Sequence, residues 1–242
     1  MTFCKNTDLY RNPDFVEGQD YARRYRRHER FDDDLAQRVD PVKTAVIAPH
    51  GGGIEAGTSE LCLAVAGYHP ATLEVTPPGG VTYDYWMFEG IRSAGNAELH
   101  ITSTGCDDGV ALSLCGGALN ALTLHGCTTS AAGQPDGEEV VLVGGRNQTL
   151  KVYLLEAFAT AQVKAVDALP IRDLNGDDAD NIVNRTLLGM GGHLELTTPL
   201  RAAMFLDNTR EGRKDTTTPV FWAFVEACRA ALARLEAEQV VR

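Results

Sequence analysis

The sequence predicts a three-layer α/β domain, in which helices flank a mixed β-sheet. Short apolar runs alternate with helical patterns along the chain, as expected when helices connect the strands of one sheet. The chain shows neither a linker nor an internal repeat. Its 242 residues fit one large domain or two small ones. We expect a polar N-terminal segment, residues 1–40, packed on a domain that spans residues 41–242.

Composition and charge exclude several classes of protein. With 44% hydrophobic and 23% charged residues, the chain has the composition of a soluble globular protein. Its 22 Lys and Arg against 33 Asp and Glu give a net charge of −11, which argues against nucleic-acid binding. No apolar run approaches the roughly 18 residues of a membrane helix. The N-terminus lacks a secretory signal, so we expect a protein that is cytoplasmic at synthesis and has no membrane partner.

The six cysteines have no C-x-x-C spacing, which excludes zinc-finger and thioredoxin-type sites. Cys62, Cys115 and Cys228 lie in apolar surroundings and are expected to be small core residues. Cys106 and Cys127 lie beside candidate site residues, and the sequence leaves open whether they pair. Because a signal peptide is lacking, reduced thiols are favoured.

The elements of the first half are predicted from local patterns. The charged segment 20–34 is expected to be a solvated helical face followed by a loop. A buried strand over 44–50 ends at a glycine cluster. Thr58 and Ser59 can cap the helix that follows. Strands are then expected over residues 83–88 and 98–104, the second because polar and apolar residues alternate clearly there.

The second half continues the alternation of strands and helices. The predicted elements are a helix over 109–118, strands over 121–126 and 139–145, a helix over 148–163, a strand over 191–198 and a helix over 219–238. A polar loop over 173–180 separates the last two strands. In such sheets, ligands bind in the loops beyond strand ends, where the candidate functional residues of this chain lie.

The strongest local feature is the segment APHGGGIEAGTSEL. His50 ends a strand, Glu55 follows five residues later, and three glycines between them allow a sharp turn. Such a turn could aim the imidazole and the carboxylate at one point. A phosphate-binding loop is the rival interpretation, but the G-x-x-x-x-G-K-[ST] pattern and its lysine are absent. A cation site and a plain turn therefore remain.

A second histidine, His125 in LTLHGC, also ends an apolar strand. Two histidines and one glutamate at strand ends form the ligand set of a catalytic zinc site, whose fourth position stays open for water. His28 and His69 are expected to be structural. His100 and His193 either support the site or lie in the core or on the surface.

Glu195 in HLELTT lies in an apolar strand, and its neighbours Leu194 and Leu196 should point to the opposite face. A carboxylate on a half-buried strand is costly unless it is paired or works near a metal. Glu195 is therefore either the general base of a zinc hydrolase or the partner of an arginine such as Arg201.

Asn184 and Arg185 in NIVNRT follow the acidic loop. An arginine can hold a carboxylate through two hydrogen bonds, so Arg185 is a natural group for recognising a polycarboxylate. The alternative is a structural ion pair with an aspartate of the preceding loop, namely Asp177, Asp178 or Asp180.

Several of these segments, taken in order, resemble the phage and bacterial poly-γ-glutamate hydrolase family. They are HGGGIEAGTSE, YDYWMFEG, ELHITST, a strand ending in His-Gly, a VGG segment, NIVNR and LELTT. The resemblance extends from about residue 16 to about residue 201. It implies a fold similar to that of zinc carboxypeptidases. It also implies hydrolysis of the γ-amide bonds of poly-γ-glutamate, a polymer that some bacteria use as a capsule.

The resemblance also implies roles for individual residues. The zinc ligands of the family motif, for one Zn²⁺ per chain, match His50, Glu55 and His125. Glu195 matches the position expected for the general base, which would take a proton from the attacking water and pass it to the departing nitrogen. The expected substrate contacts are Arg185, which matches a family arginine, together with Asn184, Arg146 and Arg201.

The chain departs from the family pattern at two places that a substrate could contact. Many relatives continue the ITST segment with His-Phe-Asp, where this chain has Gly105, Cys106 and Asp107. Many also continue the VGG segment with Leu-Asp, where this chain has Arg146 and Asn147. The substrate therefore stays open among poly-γ-glutamate and another γ-glutamyl or peptidoglycan-like bond. A polymer-binding module without catalysis is the remaining alternative.

The net charge bears on capture of a polyanionic substrate. A chain of charge −11 gives such a substrate no long-range attraction, so attraction would have to come from zinc and a few arginines. We expect a monomer. If the chain is encoded by a phage, it would reach an external capsule through lysis of the host.

Overall fold

The structure, a computed structural model, describes residues 3–28 and 43–239, and its framework is a sheet of seven strands. The strands are β1 (Tyr21–Arg26), β2 (Thr44–Gly52), β3 (Asp84–Gly90), β4 (Asn120–Cys127), β5 (Val141–Gly144), β6 (Ala165–Asp167) and β7 (Gly192–Thr197). Their order across the sheet is β1-β3-β2-β4-β7-β5-β6. Strands β3, β2, β4 and β7 are parallel neighbours, whereas β1 and β5 pair in the antiparallel sense with β3 and β7. The predicted mixed sheet is therefore confirmed.

Helices cover both faces of this sheet. They are α1 (Asn6–Arg11), α2 (Thr58–Val65), α3 (Gly109–Gly116), α4 (Gln148–Thr160), α5 (Thr198–Ala203) and α6 (Pro219–Glu238). Alternate strand residues point to opposite faces, which gives two main apolar cores. One core packs Val46 and Leu122 against α2, α4 and α6, and the other packs Ile47 and Ala121 against α1 and α3. Within the described ranges, none of the helices combines the length and apolar character needed to cross a bilayer.

The strand order brings the candidate residues to one edge of the sheet. Strands β2, β4 and β7 run in the same direction and lie side by side, so their carboxyl ends meet. His125 pairs in register with Glu195, and Thr123 pairs with His193. Because side chains two residues apart share a face, these four side chains emerge together.

Two predicted elements are wrong. The alternating segment 98–104 forms no strand but two short 3₁₀ turns, Asn96–Leu99 and Ser103–Gly105. Between them, the Ile101 carbonyl accepts a hydrogen bond from His50 instead of from a neighbouring strand. The charged segment 20–34 is not helical over Tyr21–Arg26, which forms edge strand β1 against β3. A charged edge strand resists pairing with other chains, so its arginines are compatible with this position. The rest of that segment after His28, like the predicted boundary at 40/41, lies outside the described residues.

The start of α2 also differs from the expectation. Gly57, with a φ of 98°, occupies the cap position, and neither Thr58 nor Ser59 caps the helix. The Ser59 hydroxyl instead accepts a hydrogen bond from the Gly52 N–H at 2.9 Å. The helix start is therefore tied directly to the glycine-rich turn after β2.

The cysteines agree with a reduced protein. All six are free, and Cys62, Cys115 and Cys228 are fully buried in the two cores, as predicted. Cys106 and Cys127 do not pair.

The central position of β4 leads to a stability prediction. Leu122 is fully buried between the sheet and the helices that cover it. We expect Leu122→Ala to lower the free energy of unfolding by about 2–5 kcal/mol, because the substitution leaves a cavity in a packed core. The matched control Leu206→Ala, at a side chain that is 85% exposed, should change it by less than about 0.5 kcal/mol. Urea unfolding measures both, and equal losses would contradict the assigned core.

Candidate metal centre

A cavity of about 510 Å³ opens where the carboxyl ends of β2, β4 and β7 meet. Six histidine and glutamate side chains line it: His50, Glu55, His100, His125, His193 and Glu195. Four of them were predicted as site residues from the sequence, and His100 and His193 were the two histidines whose placement was left open. The polar residues at the strand ends therefore form one site.

The glycine turn after β2 brings His50 and Glu55 together. His50 Nδ1 lies 2.8 Å from Glu55 Oε1. Gly52 adopts a φ of 66°, and a Cβ there would lie 2.4 Å from the Gly90 carbonyl oxygen. Only glycine can therefore combine this left-handed conformation with such a close approach to β3. The predicted sharp turn is present, and it aims both side chains at one point.

His125 completes a compact group of possible ligands. Its Nδ1 lies 3.0 Å from His50 Nδ1 and 3.6 Å from Glu55 Oε2. The Gly126 N–H donates to the same Glu55 oxygen at 2.7 Å. Glu55 thus contacts the end of β2 through one oxygen and the end of β4 through the other.

The remaining ring nitrogens show which atoms of the histidines are available. His50 Nε2 lies 2.6 Å from the Ile101 carbonyl oxygen, which can only accept, so this nitrogen carries the proton. His125 Nε2 lies 3.0 Å from the Ser103 hydroxyl, which can accept in the same way. In these tautomers the two Nδ1 lone pairs and the Glu55 carboxylate face one another, an arrangement that is suited to a cation between them.

The donor set fits a metal ion. Histidines that bind a metal commonly donate their other ring N–H to a carbonyl or similar acceptor, as His50 does here. A tetrahedral ion with bonds of about 2.0–2.1 Å places its ligand atoms about 3.3 Å apart. The contacts among His50, Glu55 and His125, from 2.8 to 3.6 Å, bracket that spacing.

Burial and mutual contact shift the pKa values of these groups. Burial alone would lower the pKa of His50, but the charge and hydrogen bond of Glu55 raise it overall. Burial opposes ionisation of Glu55 as well, yet the surrounding histidines hold its pKa well below the usual value. For His125, burial dominates and lowers the pKa. Glu55 is therefore the charged centre of the group.

His100 offers another nitrogen at the same place. Its Nε2 lies 3.6 Å from Glu55 Oε1, and its ring centroid lies 3.9 Å from that of His50. Ligand atoms of His50, Glu55 and His100 all lie within 4.8 Å of one another. The His100 side chain is 36% exposed, whereas that of His125 is 2% exposed. The geometry thus allows either histidine as the third ligand.

Glu195 lies beside the group on β7. It is buried, and its Oε1 lies 3.2 Å from His193 Nε2. The ion pair with Arg201 that the sequence left open does not form, because the hydrogen-bond partners of Arg201 are elsewhere. The Arg201 guanidinium donates to the carbonyls of Leu196 and Ala56 and to the Thr198 hydroxyl. Burial lowers the pKa of Arg201, although the carboxylates of Glu55 and Glu195 oppose this shift.

The four expected substrate contacts do not line the cavity. Arg201 is buried against the backbone. Asn184 is also buried, and its amide donates to the carbonyls of Gly176 and Asp178 at 2.8 Å each. Arg185 forms an ion pair with Asp180 at 2.9 Å, the structural alternative that the sequence left open. Arg146 lines a smaller adjacent cavity, which shares Asn175 and Asp177 with the first. A role of these residues in substrate binding stays a prediction.

Sequence reasoning missed the groups that form the rim of the cavity. Arg172 and three residues of the acidic loop 173–180, namely Asp173, Asp177 and Asp178, also line the cavity, and all four are exposed. This side of the cavity therefore carries more negative than positive charge. Ser103 was missed as well, because the strand predicted over 98–104 hid the turn that presents its hydroxyl to His125. In the sequence, only the acidic composition of the loop 173–180 indicates this rim.

A cysteine nucleophile is not favoured by the environment of the cavity. Cys127 lines it, but burial raises the pKa of its thiol to about 12. Such a thiol stays protonated near neutral pH and is a poor nucleophile.

Comparison with known proteins places the chain in a family. A family model described as poly-gamma-glutamate hydrolase matches residues 20–227. The chain belongs to the poly-γ-glutamate hydrolase family. It is 34% identical over 187 residues to the SPbeta prophage-derived protein YoqZ of Bacillus subtilis (strain 168), covering 76% of this chain and 59% of YoqZ. It is 30% identical over 181 residues to YndL of the same strain, covering 75% of this chain and 64% of YndL. The chain thus spans about three-fifths of the length of these relatives.

Two solved structures share the whole fold. A bacteriophage poly-gamma-glutamate hydrolase superposes with a TM-score of 0.79 at 26% identity, covering 98% of this chain and 99% of the other. A structure described as "YNDL-apo (Zinc-free)" gives a TM-score of 0.74 at 27% identity, covering 97% and 98%. The mixed sheet flanked by helices is therefore the fold of this family.

The close packing at Gly126 leads to a second prediction. A Cβ on Gly126 would lie 2.5 Å from the Cζ and Nε atoms of Arg201. We expect Gly126→Ala to displace the guanidinium and to lower the free energy of unfolding by about 1–3 kcal/mol through overpacking. Gly116→Ala, in α3, serves as the control. Its Cβ would lie 3.9 Å from the Arg185 carbonyl oxygen, an ordinary contact, so this substitution should be neutral or slightly stabilising. Urea unfolding compares the two, and a neutral Gly126→Ala would show that the packing at this point is loose.

Proposed function

We propose that this chain is a zinc-dependent amide hydrolase that cleaves the γ-glutamyl bonds of poly-γ-glutamate, with Glu195 as the general base. The observation that carries the proposal is the convergence of His50, Glu55 and His125 beside Glu195. Membership of the poly-γ-glutamate hydrolase family supports the substrate.

Zinc is the metal that the donor set favours. Imidazole nitrogen with one carboxylate suits zinc, whereas calcium and magnesium prefer oxygen ligands. The relative described as zinc-free in one of its structures supports this choice. We assign His125 rather than His100 as the third ligand beside His50 and Glu55, because His125 Nδ1 lies 3.0 Å from His50 Nδ1 and its side chain is more buried. Three protein ligands leave a fourth position open for water. When bound, zinc would polarise the scissile carbonyl and lower the pKa of water to about 7.

The proposal assigns the proton transfer to Glu195. It pairs in register with His125 on the neighbouring strand, so its carboxylate stands beside the ligand group. In this role it removes a proton from the attacking water and delivers that proton to the departing nitrogen. His100, which is more exposed, faces the cavity and can donate a hydrogen bond to a substrate oxygen.

The charges at the rim favour a second candidate. Three aspartates and one arginine line the outer part of the cavity, an arrangement that repels the α-carboxylates of a polyanion. A γ-glutamyl amide that carries an amino group near the scissile bond, as in a peptidoglycan-like peptide, would suit this rim better. The chemistry at the ligand group would be the same for both substrates.

The ligand assignment leads to a prediction about metal content. We expect His125→Ala to lower bound zinc well below one equivalent, because it removes a buried ligand. The matched variant His100→Ala should keep about one equivalent, because we place His100 in the cavity without a ligand role. Metal analysis after dialysis, with zinc-dependent thermal stabilisation as a second readout, measures both variants. Loss of zinc in His100→Ala and retention in His125→Ala would move the site to His50, Glu55 and His100.

The catalytic assignment leads to a prediction about turnover. We expect Glu195→Gln to retain zinc while kcat on poly-γ-glutamate falls by about 10²- to 10⁴-fold, since the amide cannot accept the proton. Glu211→Gln, at an exposed carboxylate, serves as control and should keep full activity. Product-size analysis with and without a chelator measures the reaction.

The same assay separates the candidate functions. Full activity of Glu195→Gln would remove the proposed base. Cleavage of peptidoglycan fragments without cleavage of poly-γ-glutamate would favour the second candidate. Zinc binding with hydrolysis of neither substrate would indicate a binding module.

A further inference from the structure

A line of hydrogen bonds runs across the sheet to Glu195. The Thr123 hydroxyl lies 3.0 Å from His193 Nδ1, and His193 Nε2 lies 3.2 Å from Glu195 Oε1. All three residues are buried. Each ring nitrogen of His193 therefore has one polar partner at hydrogen-bonding distance.

The pairing of β4 and β7 produces this line. Thr123 is the register partner of His193, and two residues further on His125 is the partner of Glu195. His193 and Glu195 lie two residues apart on one strand, so both side chains stand on the same face of the sheet. The contact is thus fixed by strand register and does not depend on a loop.

The His193 ring is enclosed by its neighbours. Its centroid lies 4.6 Å from that of His125. On the acidic loop, a Cβ on Gly176 would lie 2.4 Å from Cγ of His193, so only a glycine lets the loop pack against the ring. The ring is therefore packed between His125 and the acidic loop.

The hydrogen-bond chemistry sets the direction of the line. A carboxylate oxygen only accepts, so His193 Nε2 must carry the proton in its contact with Glu195. In the neutral ring, Nδ1 then accepts the hydrogen bond of the Thr123 hydroxyl. Both contacts therefore favour the same tautomer of His193, the one with its proton on Nε2.

We propose that His193 is a positioning residue, which holds Oε1 of Glu195 through Nε2–H and leaves Oε2 to exchange the proton with water. This inference rests on the proposed function, because it assigns a partner to the general base. A carboxylate whose orientation is fixed loses less freedom when the proton moves, and small misplacements of such groups are costly.

Two isosteric substitutions test the contact. Glutamine places its amide nitrogen near the position of Nε2, whereas asparagine places its amide near Nδ1. We expect His193→Asn to lower kcat by about 10- to 100-fold with KM and zinc content little changed. His193→Gln should recover most of kcat, because it keeps the donor to Glu195. With a role limited to packing, kcat would fall only together with the free energy of unfolding, in whichever variant packs less well.

A measurement without turnover provides the second readout. In metal-free protein, ¹⁵N NMR of the histidine rings should show His193 as the Nε2–H tautomer, and Glu195→Ala should shift its Nε2–H signal. The Nδ1–H tautomer, or equal kcat in His193→Asn and the wild type, would overturn the inference. If the wild type hydrolyses no γ-glutamyl bond, the proposed function fails, and the NMR result still decides whether His193 holds Glu195.

Discussion

The site depends on a single carboxylate that joins two strands. Glu55 contacts His50 through one oxygen and the backbone N–H of Gly126 through the other, so it links the ends of β2 and β4. Burial would normally disfavour this charge, and the surrounding histidines compensate for it. Without Glu55, two imidazole nitrogens would face each other across 3.0 Å with no negative charge to hold a cation between them.

The same arrangement explains why the net charge of the chain says little about its site. The charge of −11 is spread over the whole sequence, whereas the cavity separates a histidine-rich floor from an aspartate-bearing rim. Buried charges interact strongly at short range, while exposed charges are screened within about 10 Å at moderate salt. Under the proposed function, capture of an anionic substrate would depend on the floor, and selection among substrates would depend on the rim.

Two connections without strand character complete the site. The segment with the turns Asn96–Leu99 and Ser103–Gly105 supplies His100. It also supplies the hydrogen-bond partners of Nε2 in His50 and His125. The acidic loop packs onto His193 through Gly176. The side-chain amide of Asn184 holds this loop in place by donating hydrogen bonds to two of the loop's backbone carbonyls. The segment 98–104 resembles a strand in sequence because its residues alternate between polar and apolar. The same alternation arises in a loop whose residues face the core and a cavity in turn.

Local sequence was sufficient for most of the strand–helix alternation, the mixed sheet and the convergence of His50, Glu55, His125 and Glu195. Strand-ending polar residues must gather wherever parallel strands share an edge, so their proximity follows from pattern and topology. Strand β1 was missed because edge strands can be highly charged, and pairing with β3 is a long-range contact. Likewise, the partners of Arg201 and Asn184, the place of His100 and the contact between His193 and Glu195 arise from strand register and loop packing. These depend on residues far apart in the chain, so only the tertiary structure decided them.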